Sequence, residues 1–257
     1  MASKGAWLAA LPLVAASAFL AKDAAATAIA NSSIAFGNLA ITPASGFVQL
    51  PEPWTLQAFA QANNSLGEND SDFDPVFSPG AAGAAASVTW AMAAATASAP
   101  GDPPDLNVNG SANSSVNIPG CDPAAAFSRS RGTLSNFFTL AGGTGSVDVA
   151  FAVDVAGALE AMTDSCGRAM TDTIFTLEID GGPVLFHQRQ LVVGPNSSLM
   201  LPFSERLMDS VVLEFGVEYR LQLDVDSESA ARTIPEPPAG ALLLFGIGAL
   251  VLRRNKQ

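Results

Sequence analysis

The sequence predicts an all-β protein, a β-sandwich of jelly-roll-like type. Three observations predict it. About ten segments carry period-two alternation or short apolar runs. Clusters of Gly, Pro and Asn separate them. Helical pattern is confined to two short internal stretches and to hydrophobic helices at the two ends, outside the domain. The domain so defined is 31–233, flanked by end segments 1–30 and 234–257.

Taken in order, Ser33 to Ile41 is a short apolar strand. Phe47 to Ala60 holds two strands, broken at Pro51-Glu52-Pro53. Ser87 to Ala97 reads as one strand with Val88, Trp90 and Met92 on its buried face. Leu106 to Ile118 alternates around an Asn/Ser turn. Thr133 to Leu140 and Ser146 to Val155 flank the turn Gly142-Gly143-Thr144-Gly145. Thr173 to Ile179 and Val184 to Val193, joined by Gly181-Gly182, give a hairpin pattern. Ser210 to Phe215 and Glu218 to Val225 give another, and the second of these alternates without a fault. Ala156 to Met162 and Ala81 to Ala86 are the two short helical candidates. Ala62 to Gly83 is the longest expected loop.

Alanine buries little area, so each strand contributes less than a Val/Ile strand would, at about 25 cal/mol per Å² of apolar surface. Fifteen phenylalanines are available as large anchors. Phe47, Phe59, Phe137, Phe138, Phe151, Phe175, Phe186 and Phe215 are among them.

Charge excludes several functions. The 257 residues carry 24 acids against 12 Lys plus Arg. Residues 31–233 keep 22 of those acids, seven arginines and no lysine, a net charge near -15. Such a surface repels nucleic acid and anionic sugars or lipids in the absence of a divalent cation. His187 is the single histidine, so no two-histidine zinc site can form. No G-x-S-x-G elbow and no P-loop occurs.

The acids form two clusters. Glu68, Asp70, Asp72 and Asp74 alternate within GENDSDFD. In a loop, Asp70, Asp72 and Asp74 are candidate calcium ligands, although the EF-hand pattern is absent. Asp224, Asp226 and Glu228 share one face of the last strand, as a second cation site or a solvated edge. Paired carboxylates also define a hydrolase, but this many acids offer pairs by chance. Cys121 and Cys166 are the two cysteines. In an exported chain they form a disulfide. The alternative, a thiol nucleophile, would need His187 beside it.

The ends point to export. Lys4 precedes the apolar run Gly5 to Ala21, and Ala28-Ile29-Ala30 offers an A-x-A cleavage site. This is signal-peptide pattern. A cut after Ala26 fits nearly as well. At the other end, Pro235-Glu236-Pro237 precedes the 14 apolar residues Ala239 to Leu252 and an Arg253-Arg254 tail. As a helix the run spans about 21 Å, a short transmembrane helix with its basic tail in the cytoplasm.

That triplet, the small-residue apolar segment and the Arg-Arg tail resemble the PEP-CTERM sorting signal. Pro238 departs from the small residue that often follows the triplet. The resemblance covers residues 234–257. It implies a Gram-negative bacterium, export through the inner membrane, transient membrane anchoring, and processing by signal peptidase and an exosortase. It further implies a cell-surface or extracellular-matrix fate beside exopolysaccharide. The expectation is therefore a non-enzymatic secreted protein, structural or adhesive, with no cofactor beyond a candidate Ca2+. The alternative is a jelly-roll carbohydrate-binding module that is calcium-dependent, marked by an exposed aromatic pair with Trp54 and Trp90 as candidates. A carboxylate-based hydrolase stands third.

Overall fold

The computed structural model describes residues 26–101 and 106–233. Thirteen strands follow in chain order: β1 (Ala26–Pro43), β2 (Phe47–Gln49), β3 (Thr55–Asn64), β4 (Asn69–Phe77), β5 (Gly80–Val88), β6 (Ala91–Ala99), β7 (Asn109–Pro119), β8 (Ala124–Ala141), β9 (Ser146–Thr163), β10 (Gly167–Ile179), β11 (Gly182–Val193), β12 (Ser197–Glu214) and β13 (Glu218–Thr233). They form two antiparallel sheets packed face to face. The first, sheet A, has the order β12-β9-β1-β7-β6-β5. The second, sheet B, has the order β11-β10-β13-β8-β3-β4, with β2 added on β8.

Both internal helix expectations are corrected. Ala156 to Met162 lies inside β9, and Ala81 to Ala86 inside β5. Helix propensity separates ordinary residues by under about 0.7 kcal/mol each. The β9 stretch instead pairs on both sides, with Ala156 opposite Ala35 of β1 and Ser204 of β12. In β5, Ala82, Ala84 and Ala86 are buried and their neighbours exposed, which is strand period. The expected loop 62–83 is also strand for most of its length.

The expected strand Ser87 to Ala97 is a hairpin. Trp90 sits in its turn with φ +74°. The face was read inside out: Ala91, Ala93, Ala95 and Ala97 are buried, while Met92 is exposed. The reason is the core itself. Ala58, Ala60 and Ala62 of β3 belong to the same buried cluster as the alanines of β5 and β6. Small side chains let the sheets approach closely. A Cβ added to Gly132 of β8 would stand 2.6 Å from the Thr96 carbonyl oxygen of β6, in the opposite sheet.

Away from this alanine layer the core is large-residue packing around Trp54, Leu56, Leu134, Phe138, Phe151 and Phe175, all fully buried. The core also holds a buried hydroxyl cluster. Ser32 of β1 and Ser114 of β7 meet Ser227 and Ser229 of β13 at 2.7 to 3.1 Å. Ser227 donates to the Ser32 carbonyl (3.1 Å) and Ser229 to the Ser114 carbonyl (3.2 Å). The sheets are thus hydrogen-bonded through the core, and these buried hydroxyls are satisfied.

The hairpin expected at Gly181 is present, with Asp180 at φ +51° and Gly181 at +80°. Positive φ at both central positions is the type I′ geometry that suits strand twist. Cys121 and Cys166 are disulfide-bonded, with Cα atoms 5.7 Å apart. Closing a loop of sequence separation 45 contributes about 4 kcal/mol in the chain-entropy picture.

The transmembrane helix expected from the sequence is also corrected: no helix among the described residues is long and apolar enough to cross a membrane. The segment that prompted that expectation, 234–257, with Pro235, Glu236 and Pro237, lies outside the described residues, as does the signal-peptide stretch 1–25.

Candidate binding face

The two outer faces differ in chemistry. On the face of sheet A one row is made of small side chains, Ala85, Ala94, Asn113, Ser33 and Ala158, with Met92, Met200 and Met208 exposed in other rows. A hollow of about 400 Å³ lies there, but its one charged lining residue, Asp70, is engaged by a backbone N–H. The face of sheet B carries the functional groups.

Strand alternation builds that face. On β3, Leu56, Ala58 and Ala60 turn inward and Gln57 and Phe59 outward. Phe59 pairs directly with Phe73 of β4 and with Arg131 of β8. Arg131 pairs in turn with Asp226 of β13. One row therefore reads Phe73, Phe59, Arg131, Asp226. The adjacent row reads Gln57, Thr133, Asp224. Phe73 is 56% exposed. A shallow groove of about 290 Å³ is lined by Gln57, Phe59, Phe73, Arg129, Arg131 and Thr133.

Ion pairs fix the polar half. Asp224 is only 5% exposed. It accepts from Thr133 Oγ1 (2.6 Å) and Gln222 Nε2 (2.6 Å), and Arg131 lies 3.2 Å away. Arg129 holds Asp226 through Nε and Nη2, and this bond raises the arginine's pKa further. Glu228 and Asp172 stand directly opposite one another on β13 and β10. Burial pushes both carboxyls up, the nearby Asp226 charge raises both further, and Asp172 adds to the rise of Glu228. Gln188 donates to Asp172 (2.9 Å).

The acids expected to bind calcium do something else. The stretch Asn69–Phe77 is β4, an edge strand, and its even residues face β5. Asp74 accepts the N–H of Gly83 (2.9 Å), Asp72 that of Ala85 (3.0 Å) and Asp70 that of Ser87 (2.8 Å). Glu68 extends the series to the Thr89 N–H (2.9 Å), and its pKa is lowered by hydrogen bonds from Asn64 and Thr89. Four carboxylates so cap the outward donors of the β5 edge, which would otherwise template pairing with another chain. Each sits on its own N–H. Among the described residues no group of three or more His, Cys, Asp or Glu is arranged to hold a metal ion.

Other expected residues are placed as follows. Trp54 is buried in the core and Trp90 is half-buried in the β5–β6 turn, so the two do not make the expected exposed pair. The aromatic pair on the outer face of sheet B is instead half-buried Phe59 and exposed Phe73. Its signal in the sequence was an aromatic on the polar phase of Gln57-x-Phe59-x-Gln61. His187 is 6% exposed, 3.5 Å from Glu205 and stacked near Phe203. Burial lowers its pKa. It belongs to the seam between β11 and β12, where Arg189 also bonds Glu205. Both cysteines are in the disulfide, so neither is a free thiol.

No family model matches the chain, and no curated protein or solved structure is significantly similar to it.

Proposed function

We propose that this protein is exported through the inner membrane of a Gram-negative bacterium, processed by signal peptidase and an exosortase, and retained at the cell surface or in the extracellular matrix. There it acts without catalysis, as a jelly-roll-type module that holds polysaccharide on the outer face of sheet B. One observation carries the binding role: exposed Phe73, paired with half-buried Phe59, lies beside arginine–aspartate rows whose geometry is already fixed. An apolar platform edged by oriented donors and acceptors suits a sugar ring, which has apolar C–H faces and a polar rim. Export draws support from the disulfide, from the strongly acidic, lysine-free domain, and from the terminal motifs.

Affinity electrophoresis of the full chain through gels containing soluble polysaccharides tests the role. Retardation by at least one polysaccharide, lost in the double variant Phe59→Ala/Phe73→Ala with unchanged circular dichroism, is the expected result. Equal mobility in every gel overturns the binding role. Recovery of the chain only from the cytoplasm overturns the localisation.

A further inference from the structure

We infer that the sheet B face takes a neutral polysaccharide, with a pyranose ring on Phe73 and Phe59 and its hydroxyls on Arg131, Thr133 and Gln57, and that it rejects acidic chains. This rests on the polysaccharide-binding reading above and adds the ligand's charge.

Arg131 is already engaged within the sheet. Its guanidinium is 3.2 Å from Asp224, a carboxylate that is 5% exposed. A uronate or sulfate on the ligand would compete for Arg131. Drawing the guanidinium away would leave a buried carboxylate without its countercharge, which is the expensive way to break an ion pair. A hydroxyl makes no such demand. It can accept from the guanidinium's remaining N–H groups while the pair stays intact, and it can donate to a carboxylate's free lone pairs.

The local balance agrees. Around the groove, Arg129 and Arg131 stand against Asp172, Asp224, Asp226 and Glu228, a local excess of two negative charges, while Arg168, Arg220 and Arg232 lie further along the same face. Arg129 is likewise committed, to Asp226. The domain around this face is itself near -15. An acidic polymer therefore meets repulsion at long range, and both arginines that line the groove are already in ion pairs. The phenylalanines add a contact that is indifferent to ligand charge.

Isothermal titration of the full, disulfide-bonded chain tests this, using soluble neutral glycans (a β-glucan, a mannan, a galactan) and acidic ones (alginate, hyaluronate, dextran sulfate), at low and high NaCl. The expected result is binding of at least one neutral glycan, with Kd changing less than twofold between salts, and none of the acidic set. Phe73→Ala, at an exposed position, should weaken the neutral ligand at least tenfold. Asp224→Asn should release Arg131 and create salt-sensitive binding of an acidic glycan. Preference of the unmodified chain for acidic glycans, weakened by salt, overturns the neutral-ligand inference and leaves the polysaccharide reading standing. Binding of no glycan of either class sinks that reading, and this inference with it.

Discussion

Asp72 of β4 accepts a hydrogen bond from the backbone N–H of Ala85 on β5, at 3.0 Å, and so ties the edge of one sheet to the edge of the other. Asp70 and Asp74 repeat the bond on either side. The acidic run is an edge seal made of side chains. The triple variant Asp70→Ala/Asp72→Ala/Asp74→Ala should lose about 3 kcal/mol, at roughly 1 kcal/mol per bond, and should expose a pairing-competent edge. The triple Asn variant keeps an acceptor at each site and should retain most of the stability. Urea midpoints and gel-filtration elution volumes read both effects. An Ala variant with an unchanged midpoint would show that these bonds do not hold the edge.

Asp172 and Glu228 should oppose stability at neutral pH. Their folded-state pKa values are raised, chiefly by burial. A group of this kind adds stability below its unfolded value and loses it as pH rises through the folded one. Glu228→Gln should therefore raise the urea midpoint at pH 7, with the gain vanishing below about pH 4. His187 has the opposite slope. Its depressed folded pKa makes the neutral ring's contribution full above pH 6.5 and lost as pH falls below that. His187→Phe should flatten the slope on the acid side of 6.5. Identical pH profiles for wild type and both variants would contradict these assignments.

The N-terminal cleavage site can be chosen from packing. Strand β1 begins at Ala26, which pairs with Pro119 of β7; after a bulge it pairs with both β7 and β9 from Ala28 onward, and Ala28 and Ala30 are fully buried. Cutting after Ala30 would remove these core residues and their ladder. Cutting after Ala26, the other site the sequence offers, spares them. Intact mass of the exported protein should correspond to a chain starting at Thr27. A mass starting at Asn31 would refute the choice.

Gly132 should tolerate no side chain. Its added Cβ would meet the Thr96 carbonyl at 2.6 Å, and a backbone atom cannot swing aside. Gly132→Ala should cost about 1–3 kcal/mol by overpacking, read as a lower urea midpoint. An unchanged midpoint would mean that the sheets are further apart here than the alanine layer implies.

Much of this fold was legible because alternation is a local property. The faultless β13 pattern and the β10–β11 hairpin read correctly from composition and turn residues. The failures have separate causes. Where alanine forms the core, hydrophobicity no longer separates inside from outside, so Met92 looked buried and Ala93 looked like filler. Ala156 to Met162 looked helical because its pairing partners, β1 and β12, are distant in sequence. The acidic run looked like a loop because its carboxylates answer N–H groups on β5, across a turn. The binding face was partly visible: Arg129, Arg131 and Thr133 share a phase, as do Asp224, Asp226 and Glu228, and opposite charges at matching period are what neighbouring strands carry. The Phe59–Phe73 contact depends on the β3–β4 register, which no single strand encodes.

The binding role of sheet B is tested most directly by mapping where the ligand lands. Backbone amide shifts of the 15N-labelled chain, followed during titration with oligomers of the polysaccharide it retains, should change at Gln57, Phe59, Phe73, Arg131 and Thr133. Changes confined to the alanine–serine face of sheet A, around Ala94 and Asn113, would contradict it.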